Sequence, residues 1–181
     1  EAIKGNDVYL TIDADLQVAI YNALEKRLAE GIVMRLKGED KTIPLTGRDI
    51  LVSMAESNQL NIDQLNRKGA TDTEKELYRK IDEAFNKEEK RLKEAEKDLK
   101  EEEKTILTKK IQFANMLEDE NSPILDSELL LAFDSQKTFK LTDEERKLVV
   151  ARDYNLTSLL IKALEEGRIK PDQMTITPCS G

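Results

Sequence analysis

The sequence predicts a mainly α-helical chain with one strand–helix unit at its N-terminus and few other strands. Three observations predict this fold class. Residues 8–12 alternate apolar and polar side chains with the period of a strand, with Val8, Leu10 and Ile12 on one face. Most later apolar residues recur at spacings of three and four, as in amphipathic helices. Between residues 71 and 121 the chain is densely charged and contains no Gly or Pro, which predicts a long charged helix.

The strand leads directly into the first predicted helix. Asp13 is placed to be its N-cap, with its carboxylate accepting hydrogen bonds from free amides of the first turn. Asp13 and Asp15 could also form a metal or acid–base pair, but a cap and a first-turn acid explain them more simply. Gly31 is the predicted end of the helix. An apolar stripe follows the helical period, and its members are Leu16, Ala19, Ile20, Ala23, Leu24 and Leu28.

Two shorter helices are predicted before residue 70. Thr46 and Asp49 form a capping pair at the start of the first, and its apolar residues Ile50, Leu51 and Met54 predict the buried side. The second begins at residues 61–64 and ends near Gly69.

The long charged helix is predicted over residues 71–118. As a single element it would be about 72 Å long, at 1.5 Å per residue. A compact domain of this chain length is only roughly 40 Å across. The helix must therefore project from the body or break. Residues 105–108 are the expected break, because their β-branched side chains lower helix propensity.

The same helix carries a candidate interaction seam at heptad-like spacing. Glu88, Glu102 and Lys109 interrupt it at seam positions. The seam could bind a partner helix as a coiled coil or close an internal helical hairpin. Polar residues weaken a free-standing coiled coil, so the hairpin is the favoured interpretation. The apolar seam residues are Ile81, Phe85, Leu92, Ala95, Leu99 and Ile106.

The C-terminal third predicts three more helices and an extended end. One covers 126–133, and Thr142 with Glu145 forms the capping box of the next. Asn155 caps the strongest amphipathic helix, which Gly167 ends. Residues 171–181 lead into an extended segment.

Composition excludes several kinds of chemistry. The chain has no His and one cysteine, Cys179, so triads that need imidazole and internal disulfides are both impossible. Its net charge of −8 and the lack of a basic cluster argue against nucleic acid. No apolar run approaches 18 residues, and no membrane contact by this segment is expected. We predict no catalytic, cofactor-binding or metal-binding residues.

The stretch GNDVYLTIDADLQ, from Gly5 to Gln17, resembles the start of the transpeptidase domain in class B penicillin-binding proteins. There, a Gly-x-Asp-Val-x-Leu-Thr-Ile-Asp strand of the central sheet leads into a helix. The terminal TPCSG is similar to the approach to the next such strand, in members from clostridial-type Gram-positive bacteria that carry a helical insertion. The resemblance implies that residues 1–30 are the first strand and helix of that domain, 31–170 the insertion and 171–181 the return.

The motifs that carry this family's acyl transfer are absent from the chain. No Ser is followed three residues later by Lys, and there is no Ser-x-Asn or Lys-Thr-Gly. The expected function is therefore that of a non-catalytic, structural or protein-interaction segment of a peptidoglycan D,D-transpeptidase. The resemblance implies an extracytoplasmic location, with membrane anchoring through other parts of that protein. Expected partners are the rest of the transpeptidase in cis and other cell-wall or division proteins.

The alternative is a self-contained helical or coiled-coil interaction module, unrelated to cell-wall enzymes.

Overall fold

A computed structural model describes residues 13–40, 44–95, 108–119 and 121–174. Within these ranges every regular element is helical, which confirms the mainly α prediction. The predicted strand at residues 8–12 and the extended end at 175–181 lie outside the described residues. The α-helices are α1 (Ala14–Leu36), α2 (Gly47–Met54), α3 (Asp72–Ala95), α4 (Lys109–Glu118), α5 (Asp126–Gln136), α6 (Asp143–Ala151) and α7 (Leu156–Glu165). Residues Ala55–Gln59 form a kinked turn after α2, in which Asn58 has a φ of +59°, and short 3₁₀ turns cover Ile62–Asn66 and Pro171–Gln173.

The helices enclose one hydrophobic core. Helix α5 contacts α2, α3 and α6, and its apolar residues supply the centre of the body. The side chains of Leu129, Leu130 and Phe133 in α5 are fully buried there. Other fully buried residues come from α2, α3, α7 and their connections, and include Leu51, Met54, Leu65, Leu77, Ile81, Phe139 and Leu160.

The predicted helix starts are confirmed where the structure describes them. Asp13 accepts hydrogen bonds from the backbone amides of Asp15 and Leu16, as an N-cap does. Complete capping boxes begin α2 at Thr46 and α6 at Thr142, and Asn155 caps α7. Local side-chain chemistry therefore fixes these four starts.

The predicted end of the first helix at Gly31 is wrong, because α1 continues to Leu36. Ile32, Val33 and Leu36 are buried against the body, mainly by α7. Burial of such side chains outweighs the cost of about 1 kcal/mol for Gly inside a helix. The chain instead turns after Lys37 at Gly38, which has a φ of +71°.

The prediction of one helix over residues 71–118 is also wrong. Thr108 is extended, with φ −127° and ψ 158°, and its hydroxyl caps α4. This fits the predicted break at residues 105–108. Helix α4 packs against α3, with the Lys109 ammonium hydrogen-bonded to the Tyr78 hydroxyl at 2.7 Å and to Asp82. The two helices therefore pack on each other, and the connection between them, residues 96–107, lies outside the described residues.

Candidate interaction surface

The first three turns of α1 project from the helical body. Every residue from 13 to 24 is exposed, whereas the C-terminal part of the helix is packed against α7. The exposed large apolar residues in this part, with their exposed fractions, are Leu16 (57%), Val18 (59%), Ile20 (51%), Tyr21 (52%) and Leu24 (59%). The stripe predicted from the sequence is thus present but uncovered by the described part of the chain. We call residues 14–24 the projecting half of α1.

The apolar character of the projecting half extends around much of the helix. Val18 points towards the side on which the body lies, while Leu16, Ile20 and Leu24 follow an i,i+4 row on the other side. A helix that is apolar on most sides is normally buried. It is about 16 Å long and continues into the packed half of the 23-residue helix. The projecting half therefore has the properties of a segment that another surface covers.

The last described residues of the chain contact α1 at the base of the projection. The Tyr21 hydroxyl donates a hydrogen bond to Asp172 at 3.3 Å, and Lys170 lies 3.1 Å from the Glu25 carboxylate. The neighbouring Asp172 carboxylate raises the pKa of Tyr21, and the bond to Glu25 raises the pKa of Lys170. The 3₁₀ turn Pro171–Gln173 is thereby held against α1. Residues 21–25 and 170–172, which are far apart in the sequence, therefore lie side by side.

A groove of about 770 Å³ runs along the packed half of α1, between it and the end of α7. Its floor is apolar and includes Val33, Met34 and Ile169. An exposed ion pair between Lys37 and Glu165, with an N–O distance of 3.0 Å, spans one side. Because charges of both signs surround the groove, its electrostatics select no particular ligand.

One described residue of the candidate interaction seam on α3 belongs to the core, and two others are partly exposed. Ile81 is fully buried in the core, and Phe85 and Leu92 are half-buried. The Lys109 ammonium lies 5.8 Å from the centre of the Phe85 ring and 4.7 Å from that of Tyr78. Hydrogen bonds to Asp82 and Tyr78 raise the pKa of Lys109, so it is a cation at neutral pH. The side chain of Ala95 and residues Leu99 and Ile106 lie outside the described part of the seam.

Two ion pairs between residues distant in the sequence connect helices of the body. Arg168 makes two hydrogen bonds to the Glu145 carboxylate, at 2.9 and 3.0 Å, and Lys80 makes two to Glu128, at 2.6 and 2.8 Å. Burial tends to raise the pKa of Glu145, but hydrogen bonds from the Thr142 backbone and from Arg168 outweigh it and leave the pKa lowered. Sequence reasoning missed both pairs, since their partners are 23 and 48 residues apart.

The described residues were searched for metal-binding groups and for membrane-spanning helices. No group of three or more His, Cys, Asp or Glu side chains in these ranges could hold a metal ion. Among the described helices, none has the length and apolar character needed to cross a membrane. Among the surfaces described above, the projecting half of α1 has the largest group of exposed apolar side chains.

Comparison with known proteins found no matching family model, no matching curated protein and no matching solved structure.

Proposed function

We propose that this chain is a non-catalytic segment of a peptidoglycan D,D-transpeptidase of the class B penicillin-binding type. Residues up to about 30 begin the transpeptidase domain, and the helical body that follows is an insertion in it. The body acts as a structural or protein-interaction module beside the catalytic domain, on the outer side of the bacterial membrane. The resemblance over Gly5–Gln17 is the reason for proposing this family of transpeptidases. The contact between α1 and residues 170–172 is the observation in the fold that carries the proposal.

An inserted module must receive and return the chain at neighbouring points, so that the host fold continues undisturbed. The Tyr21–Asp172 and Glu25–Lys170 contacts give the helical body this property. Helices α2 to α7 lie between these two points in the sequence. An insertion after the first strand and helix of a larger domain accounts for this arrangement.

The projecting half of α1 supports the same proposal. In the proposed protein, the rest of the transpeptidase domain covers its apolar side chains. Burying a Leu or Ile side chain of this kind stabilises a protein by about 1.5–3 kcal/mol. Several such residues lie within three turns of α1. This is the contact expected between a helix and the remainder of its own domain.

The self-contained coiled-coil module has less support. Its binding surface would be the candidate interaction seam, but Ile81 is fully buried in the core and Lys109 lies over Phe85.

The test is labelling by a fluorescent penicillin, of this chain and of a version extended by its native sequence downstream of Gly181. We expect the chain to remain unlabelled, because it lacks the serine and lysine of the acylation site. The extended version is expected to be labelled. A folded extension that takes no label would contradict the proposal.

A matched pair of substitutions in the extended version tests the role of α1. Leu24→Glu is expected to reduce labelling strongly, because a charge would be buried where the rest of the domain covers the projecting half. Leu148→Glu, at a similarly exposed position of α6, should leave labelling unchanged. Equal effects of the two substitutions on labelling would contradict the claim that the rest of the domain covers the projecting half of α1.

The positioning role of the body is tested separately in a cell that depends on the extended protein. Replacing residues 40–168 by a short linker keeps α1 and the last turn of the chain. Loss of localisation or growth is expected, with penicillin labelling retained. Normal growth and localisation would refute the positioning role.

A further inference from the structure

One face of α1 has a symmetric arrangement of apolar and charged residues. At about 100° per residue, Asp13, Leu16, Ile20, Leu24 and Arg27 fall within a sector of roughly 80°. All five are exposed, and the Arg27 side chain is 83% exposed. We call these five residues the α1 face.

The α1 face is self-complementary about Ile20. Leu16 and Leu24 lie four residues before and after it, about 6 Å along the helix. Asp13 and Arg27 lie seven residues before and after it, about 10.5 Å along the helix, and carry opposite charges. A two-fold axis through Ile20 would pair each residue of this face with its complement.

We propose that a second copy of this chain docks on the α1 face, with the two α1 helices antiparallel and Ile20 at the two-fold axis. In this arrangement Leu16 packs on the partner copy's Leu24, and Asp13 meets the partner copy's Arg27. A parallel arrangement would instead place like charges together at both ends. Isologous contacts of this kind are the commonest in homodimers.

The surroundings of the α1 face permit this docking. Ile32, Val33 and Leu36, which hold α1 to the body, lie on the opposite side of the helix. The α1 face is therefore directed away from the residues that hold the helix to the body. Arg27 already pairs with Glu30 at 2.9 Å, but that pair is exposed and contributes little.

The docking goes beyond the proposed function and does not depend on it. A single helix pair is a small interface, so the dimer should be weak and its population should rise with concentration. In the extended protein of the proposed function, the rest of the domain competes with the second copy for the same helix. Dimerisation is measured on this chain alone and penicillin labelling on the extended protein, so failures of the two proposals are distinguishable.

The first test is sedimentation equilibrium of the chain between about 1 and 500 μM. We expect a monomer–dimer equilibrium that Ile20→Glu weakens at least tenfold. Arg27→Asp should weaken it at least tenfold as well, while Lys26→Asp, the same charge change off the face, should alter it less than twofold. Adding Asp13→Asn to Arg27→Asp removes the new repulsion and keeps the N-cap, so part of the affinity should return.

The second test fixes the register by disulfide cross-linking on a Cys179→Ser background. Ile20→Cys should form a covalent dimer under mild oxidation, because the two-fold axis brings the two thiols together. Val18→Cys, on the opposite side of the helix, should not. These positions are exposed, so folding is retained, and far-ultraviolet circular dichroism verifies it.

A chain that is monomeric at every concentration overturns the proposal. Equal effects of Arg27→Asp and Lys26→Asp, or cross-linking of Val18→Cys as fast as Ile20→Cys, overturn it as well.

Discussion

Replacing Arg168 by Met should strongly destabilise the helical body. Arg168 follows α7 and donates hydrogen bonds to both oxygens of Glu145 in α6, and to the Lys140 carbonyl oxygen at 2.9 Å. The side chains are only 18% and 10% exposed for Arg168 and Glu145, respectively. The pair therefore holds the C-terminal exit of the chain against α6, just before the residues that contact α1.

The loss of stability in Arg168→Met depends on the partners that the Glu145 carboxylate retains. Removing one member of a buried ion pair costs about 3–5 kcal/mol, because it leaves a buried charge without compensation. Glu145 would keep the Thr142 amide at 2.9 Å and the more distant Lys162 ammonium at 3.4 Å. We therefore expect the lower limit, about 3 kcal/mol. For a chain of this size, that corresponds to a fall of about 6–12 °C in Tm.

The assay is urea unfolding followed by circular dichroism at 222 nm. Lys162→Met is the matched control: it removes a 56%-exposed partner of the same carboxylate and should cost less than about 1 kcal/mol. The double variant Glu145→Gln/Arg168→Met should be less destabilised than Arg168→Met alone, since no buried charge is left unpaired. If Arg168→Met and Lys162→Met had equal free energies of unfolding, the reasoning would be refuted.

Three further predictions concern acid stability, burial and packing. The lowered pKa of Glu145 means that its stabilising contribution is present above its unfolded pKa, near 4.3, and is lost as the pH falls through the folded value. Glu145→Gln should therefore flatten the loss of stability below about pH 4.5 in urea titrations; an unchanged acid limb would contradict this. Leu160→Ala, at a fully buried position, should lower the free energy of unfolding by about 2–5 kcal/mol. Leu24→Ala, at a 59%-exposed position, should lower it by less than about 0.5 kcal/mol. Similar losses would mean that the projecting half of α1 is packed on the body. Gly47→Ala should destabilise the helical body by about 1–3 kcal/mol, although Ala has a higher helix propensity than Gly. The reason is that the new methyl group would lie 2.8 Å from the Leu156 side chain. A gain in Tm would contradict this prediction.

The features that could be predicted from the sequence are those that local chemistry decides. A capping residue and its amide partners are two or three residues apart, so Asp13, Thr46, Thr142 and Asn155 could be identified directly. The break before α4 was predictable for the same reason, since low helix propensity is a local property of residues 105–108.

The predictions that are wrong or missing concern contacts between distant parts of the chain. The sequence predicts a helix end at Gly31 because Gly has a low helix propensity. The burial of Ile32 and Val33 by α7, which carries the helix past Gly31, is not visible in the local sequence. The pairing of Arg168 with Glu145 likewise follows from how α6 and α7 pack. For the candidate surface, the sequence identified the apolar stripe of α1 but could not indicate that the helical body leaves it uncovered.

Hydrogen exchange of the backbone amides in the projecting half of α1 tests the central claim most directly. It compares this chain with the version extended downstream of Gly181, each dilute enough to be monomeric. We predict rapid exchange from 14 to 24 in this chain, because a short uncovered helix opens readily, and at least hundredfold protection in the extended version. Equal exchange in the two would contradict the claim that the rest of a transpeptidase domain covers this helix.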